Sequence, residues 1–292
     1  MRTWLAPAAT LFVINAVAGV ALAQETTAEP QRAKPPRELL QPPKKGREAS
    51  PITDRFALRV SYFGAGLDTF LRLDQTNGQP GTDLRVEDDL GLEDKTSMAR
   101  MEMIFRLRDK NRLRVDYFKS TRFGDKVLNK TIRFGDQTFL FNDRAQTSLD
   151  YRALGLTYTR SVLYFDRFEL GVGIGISLIE AHAKGEVVAR NVREKEDGVA
   201  PYPTIALDST WRISKRWSFN GRAQTFTANT SDFTGSLSDY HGDIQYRWRR
   251  NFAFGLGYTS LRIRAESTST KNMPGKFNQD IKGPEFFVRA SF

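Results

Sequence analysis

Apolar and polar residues alternate one by one along much of the chain beyond residue 55. Phe56, Leu58, Val60 and Tyr62 are separated by Ala57, Arg59 and Ser61, and Ala99, Met101, Met103, Phe105 and Leu107 by Arg100, Glu102, Ile104 and Arg106. Successive side chains of a strand point to opposite faces, so each stretch has one greasy face and one that carries charge; helical spacing would mix the two sets. The pattern returns at 113–117, less cleanly along 147–160, and strongly at Phe168, Leu170, Val172, Ile174, Ile176 and Leu178. It continues through 205–213, 217–224, 243–249 and 252–259 and ends in the stretch "GPEFFVRASF" at 283–292. This predicts an all-β chain of ten strands. Eight or twelve remain open, because 126–134 also alternates and reads either as an extension above the wall or as a further wall strand.

The connections alternate as well. Short ones fall at 108–112, 161–166, 214–216 and 249–251, and long polar ones at about 73–95, 123–143, 184–199, 229–238 and 266–281. Short turns on one rim and long loops on the other are the layout of a transmembrane antiparallel up-and-down β-barrel. Beside the short turns stand Phe168, Trp211, Trp217, Trp248, Phe252 and Phe292, an expected aromatic girdle at the periplasmic interface. In lipid every backbone donor and acceptor must pair, so the first and last strands have to meet. A wall that is apolar only on its outside also accounts for the low mean hydropathy of −0.47.

Composition sets the compartment. Arg2, an apolar run over 11–22 and the small-residue end Ala21-Leu22-Ala23 form a cleavable signal peptide over 1–23; the run is too short for a membrane-spanning helix. The proline- and charge-rich stretch 24–52 reads as a disordered periplasmic linker, which leaves 53–292 for the barrel. The net charge of +10 would suit a nucleic-acid binder, but export argues against that partner. With no cysteine, disulfides, thiol catalysis and thiolate metal sites are excluded. No cofactor is implied.

With these features in place, residues 52–292 resemble bacterial outer-membrane β-barrel proteins. Lys282 and Gly283 followed by Phe286, Val288, Ala290 and Phe292 match that family's assembly signal, carried here by Gly283, Phe286, Val288 and Phe292. The resemblance implies periplasmic chaperones, insertion by the barrel-assembly machinery, and outer-membrane lipid and lipopolysaccharide as surroundings. The stretches "LRVEDDLGLED" (84–94) and "IRFGDQTF" (132–139) resemble the first two outer loops of a proteobacterial group of small barrels. Neither likeness carries an activity.

Strand parity places Arg59, Arg100, Glu102, Arg106, Arg114, Asp116, Asp208, Arg212, Arg222, Asp243, Arg247, Glu285 and Arg289 in the lumen. Buried opposite charges pair, which points to a salt-bridged filling and a structural or surface-binding role. The excess of arginine over acid in this set keeps a narrow anion-preferring channel as an alternative. The inward Gly171, Gly173 and Gly175 lie in a strand and make room for arginines rather than forming a phosphate loop. A third reading is a hydrolase. Asp239 and His241 match the Asp-x-His fragment that omptin proteases carry on an outer rim, although only the isolated Asp125 and Asp136 stand for the facing aspartate pair. His182, beside Glu180, is the other histidine. The acidic stretch Glu87, Asp88, Asp89, Glu93 and Asp94 reads as a solvated loop, with divalent-cation binding as the alternative.

Overall fold

The computed structural model describes residues 50–75, 77–187, 192–268 and 274–292. The expected signal peptide (1–23) and residues 24–49 of the expected linker lie outside them. Thirteen strands and one short helix follow in order: β1 (Phe56–Leu73), β2 (Leu84–Arg85), α1 (Val86–Leu90), β3 (Lys95–Arg108), β4 (Asn111–Val127), β5 (Ile132–Phe134) and β6 (Gln137–Phe139). Then come β7 (Arg144–Tyr164), β8 (Phe168–Val187), β9 (Val192–Arg212), β10 (Trp217–Asn229), β11 (Phe233–Arg249), β12 (Phe252–Ser267) and β13 (Gly275–Ser291).

Ten of these form the wall, in the up-and-down order β1, β3, β4, β7, β8, β9, β10, β11, β12, β13. β13 closes on β1 in antiparallel register, with Ala57 opposite Ser291 and Leu73 opposite Gly275. Closure leaves no free edge, as backbone pairing in lipid demands. The ten-stranded reading holds, and 126–134 adds no wall strand: β4 runs on to Val127, and β5 with β6 makes a separate small hairpin.

The outward positions next to the short turns are apolar and exposed. On β7 they run through Leu154, Leu156, Tyr158 and Val162, interrupted near the turn by the exposed Arg160, and on β13 through Phe286, Val288 and Phe292. About nine to eleven residues cross a bilayer in a tilted strand, and 154–162 supplies that span. Tyr62, Tyr117, Tyr240 and Tyr258, also exposed on the outside, stand toward the far edge of the band. Such tyrosines suit a second headgroup interface.

Beyond the band the two faces exchange character within the same strands. On β1 the inward sequence is Arg59 and Ser61, then Phe63, Leu67 and Leu71, while the outward one is Val60 and Tyr62, then Asp68 and Arg72. β4 passes inward from Arg114 and Asp116 to Phe118, and β13 outward from Phe286 to Lys282 and Asp280. Against lipid the greasy side must point out; where water replaces lipid the ordinary soluble pattern returns, with the apolar side in. The expected long loops at 184–199 and 266–281 are therefore largely strand, because β8 reaches Val187, β9 starts at Val192 and β13 starts at Gly275. At about 3.3 Å per residue the 20 residues of β8 exceed a membrane crossing roughly twofold.

The interior consequently has layers. An ionic zone lies inside the lipid-facing band. Above it sits an apolar cluster that includes Phe63, Leu67, Met98, Phe118, Tyr151, Ile179, Leu261, Ile263 and Ile281. A second apolar cluster, with Leu71, Leu84, Val86, Leu128, Ile132, Phe134, Phe139 and Leu149, fills the far mouth. α1 and the β5–β6 hairpin close that mouth; α1 ends at Gly91, whose φ of +70° is the left-handed conformation that glycine adopts without strain.

The opposite, short-turn mouth is closed by the residues before β1. Thr53 and Asp54 donate backbone N–H bonds to the Ser50 carbonyl, both at 2.9 Å, and Ile52 is fully buried. Asp54 accepts from Arg247 Nη2 at 2.6 Å and lies 3.5 Å from Arg289 Nη2. It is the only carboxylate paired with either arginine among the described residues. Asp54→Ala is expected to loosen this turn and to speed tryptic cleavage at Arg55 by about tenfold for every 1.4 kcal/mol of docking lost. Limited proteolysis of the refolded barrel reads this directly; an unchanged cleavage rate would show that the turn does not depend on Asp54.

Candidate functional site

The ionic lumen is the place where the chain concentrates its chemistry. Its side chains come from the inward positions of nearly every wall strand, each fixed in height by the register. Arg59 on β1 donates to Asp243 on β11 at 2.7 Å and to Glu285 on β13, and stacks its guanidinium 3.6 Å from the centroid of Phe287. Arg222 on β10 donates to Glu102 on β3 at 2.5 Å. Arg100 lies 3.3 Å from both Asp116 and Asp239, and 3.4 Å from Glu102. Arg114 donates to Asp208 at 2.9 Å across the barrel. Arg106 grips Glu169 with two bonds of 2.9 Å, and Arg112 stands 3.7 Å from the same carboxylate.

Twelve of the thirteen residues expected in the lumen are buried there. Arg212, on the same face of β9 as Asp208, lies near the short-turn rim with its side chain 12% exposed and is paired with Asp166. Besides Asp239, read from sequence on an outer rim, parity missed four participants. Glu169, fully buried, stands at the parity of the inward glycines of β8 next to a turn; Arg112 lies beside a turn; Asp54 precedes the first strand; and Phe287 is an apolar residue on an otherwise polar face. With Glu169, Asp239 and Asp54 included, Arg59, Arg100, Arg106, Arg112, Arg114, Arg222, Arg247 and Arg289 face an equal number of carboxylates. The arginine excess on which the anion-channel alternative rested is thereby removed.

Small residues make room for the network. A Cβ at Gly155 would stand 2.8 Å from the Asp116 carboxylate, one at Gly255 2.5 Å from the Phe287 ring, and one at Gly171 3.5 Å from Arg112 Nη2. Gly173 and Gly175 are tight against Tyr158 and Thr204 rather than arginine.

His241 corrects an expectation. It lies deep in the ionic zone and not on an outer rim, since β11 continues for eight residues on either side of it. Its Nε2 is 2.8 Å from Asp243 and 3.1 Å from Arg59 Nη2, and its Nδ1 is 2.9 Å from the Thr259 hydroxyl. Asp239 is held by Arg100 rather than by the histidine. His182 is partly exposed on the outside of β8, 4.0 Å from Glu180.

Of the acidic stretch, the Glu87 and Asp89 carboxylates are engaged in the cap, while Asp88, Glu93 and Asp94 are exposed. Glu87 accepts from Arg122 at 2.6 Å and from the Thr69 backbone at 3.0 Å, Asp89 pairs with Lys130 at 2.8 Å, and Lys126 donates to the Asp88 carbonyl. Among the described residues no group of three or more His, Asp or Glu side chains is arranged to hold a metal ion. At the water-exposed outer end of β4, Asp125 is held below the usual carboxylate range by its two hydrogen bonds from Arg144, 2.8 and 2.9 Å. Asp125 is thus engaged at a strand end and faces no Asp-x-His pair.

Of the expected girdle, Trp211, Trp217, Trp248, Phe252 and Phe292 are exposed beside the short turns, with Phe168 half-buried opposite Trp211. Of the assembly-signal residues, Phe286, Val288 and Phe292 point outward on β13, while Gly283 packs against the backbone of Gly64.

No protein-family model matches the chain, and no curated protein does. Among solved structures, the outer membrane protease OmpT from Escherichia coli is similar over 85% of this chain and 99% of its own, with a TM-score of 0.53 and 10% identity. Ail, the attachment invasion locus protein of Yersinia pestis, is matched over 80% of this chain and 99% of its own with a TM-score of 0.34 and 8% identity. The P. putida toluene transporter TodX is matched over 84% and 93%, with a TM-score of 0.32 and 8% identity. The chain therefore has the fold of the bacterial outer-membrane β-barrels, a closed antiparallel cylinder of ten strands with an apolar outside and an ionic lumen.

Proposed function

We propose that the protein resides in the bacterial outer membrane as a sealed barrel that carries no solute and holds a capped, folded extension above the outer leaflet for a structural or surface-binding role. The observation that carries this reading is the closure of the lumen at successive heights, by the buried turn around Ile52 and the two apolar clusters, with the ionic zone between them leaving a cavity of only about 70 Å³. Export by the leader at 1–23, insertion through the β13 signal, and lipopolysaccharide around the outer edge belong to the same reading.

The alternatives have less in their favour. A channel needs a continuous wet path, and the apolar layer above the ionic zone lacks one. A hydrolase needs a base that substrate can reach, whereas His241 is buried beneath that layer with both ring nitrogens engaged. Single-channel recording on the refolded barrel in planar bilayers is expected to give a flat trace. Reproducible conductance steps from the intact chain would overturn the sealed-barrel reading.

A further inference from the structure

The short-turn rim carries positive charge that the chain itself does not compensate. In or beside the turns that join β3 to β4, β7 to β8, β9 to β10 and β11 to β12, Arg108, Lys110, Arg160, Arg216, Arg249 and Arg250 are exposed. Among the described residues none of the six meets a carboxylate. The acids of the same turns are Asp109 and Asp166, and Asp166 is taken by Arg212. The segment before β1 does not supply the missing charge, since residues 24–49 hold six cations against four glutamates. At the outer end, by contrast, Arg144, Lys184 and Lys276 stand in ion pairs with Asp125, Glu186 and Glu266.

Three of these arginines lie on the flank of the cylinder, at the level of the aromatic girdle. Arg160 is on the lipid-facing side of β7, and its neighbours on that face, Tyr158 and Val162, are both exposed. Arg249 holds its guanidinium 4.5 Å from the centroid of the Trp248 ring. Arg216 donates to the Tyr246 hydroxyl at 2.8 Å, and the Tyr246 ring stands between Trp217 and Phe254, with centroids 5.0 and 5.6 Å away. A guanidinium anchored on an aromatic side chain is held in place while its remaining N–H groups stay available to a second partner. At that depth, where the girdle rings meet the boundary between acyl chains and headgroups, the partner within reach is a lipid. A soluble macromolecule would meet the underside of the rim and not its flank.

We infer that the short-turn rim is a binding belt for anionic phospholipid, in which Arg160, Arg216 and Arg249 hold headgroup phosphates of the inner leaflet against the girdle. This rests on the outer-membrane reading above. Guanidinium pairs with phosphate through parallel N–H donors, so arginine suits the task. A headgroup of net negative charge is selected because a zwitterionic one brings its own cation to a flank where no carboxylate faces the three arginines.

The tryptophans of the described barrel, Trp211, Trp217 and Trp248, all stand in this girdle, so their fluorescence reports the lipids that touch it. The full barrel is refolded into phosphatidylcholine vesicles with either brominated phosphatidylglycerol or brominated phosphatidylcholine as the quencher. A cation close to an anionic surface favours it roughly fivefold, so the phosphatidylglycerol should reach equal quenching at a mole fraction about three- to fivefold lower. About 1 M salt, where the screening length is about 3 Å, should remove most of that preference. The variant Arg160→Gln/Arg216→Gln/Arg249→Gln should remove it as well. Equal quenching by the two lipids, or an undiminished preference in the variant, would overturn the inference and leave the rim to a soluble acidic partner. Quenching by neither lipid would mean that the barrel is not in the bilayer, and it is then the outer-membrane reading that fails. Should the variant not refold, the unaltered chain still decides, because a preference indifferent to salt counts against the belt.

Discussion

Glu102→Leu is expected to destabilise the barrel by about 3–5 kcal/mol, the cost of stripping a buried ionic cluster of its shared partner. Glu102 lies within 4 Å of three guanidinium groups, at 2.5 Å from Arg222, 3.4 Å from Arg100 and 3.8 Å from Arg59. It is 3% exposed, so water cannot take its place. Once it is gone, positive charge is left uncompensated in the middle of the wall. The companion variant Glu102→Leu/Arg222→Leu should recover most of the loss, because an apolar pair of similar volume replaces an ion pair at little net cost. Urea unfolding followed by the fluorescence of Trp211, Trp217 and Trp248 measures both. A single variant within about 0.5 kcal/mol of the unaltered chain would mean that the network is not the structural filling described above.

The second large effect tests where the lipid band ends. Leu156→Arg places a cation on the outside of β7 in the middle of the apolar band and should cost about 2–4 kcal/mol. Gln146→Arg places the same side chain on the same outward face ten residues further along β7, beyond the exchange of faces, where it should cost close to nothing. Refolding both variants into lipid vesicles and comparing their urea midpoints is the measurement. Equal costs at the two positions would show that lipid covers the whole strand and that the upper half is not a water-exposed extension.

Why the strands look short in the sequence follows from that exchange. On β8 the outward positions 170–178 are all apolar and the inward ones mostly glycine and serine, so alternation is obvious. From Glu180 to Glu186 the outward positions become Glu, His, Lys and Glu, and the inward ones include Ile179 and Ala183. The period of two persists, but its phase reverses, and a pattern that reverses mid-strand reads as an end. The glycines on β8 and Phe287 on β13 show the other limit. Their value lies in what reaches them from nearby strands, Arg112 on β4 for Gly171 and Arg59 on the adjoining β1 for Phe287, and a strand taken alone contains no information about its neighbours' side chains.

The sequence by itself determined the class of the molecule, a wall of ten strands with eight or twelve still open, which residues of each lipid-facing half look inward, and which end carries the short turns. Those are consequences of local geometry, because a strand assigns its side chains to faces without reference to any partner. Tertiary structure alone decided which arginine meets which acid, that Asp54, Glu169 and Asp239 complete the charge balance, that His241 is buried, and that Glu87 and Asp89 of the acidic stretch are engaged in closing the mouth. Pairing across a closed cylinder depends on the register of every strand between the two partners, and that sum exists only once the wall has closed on itself.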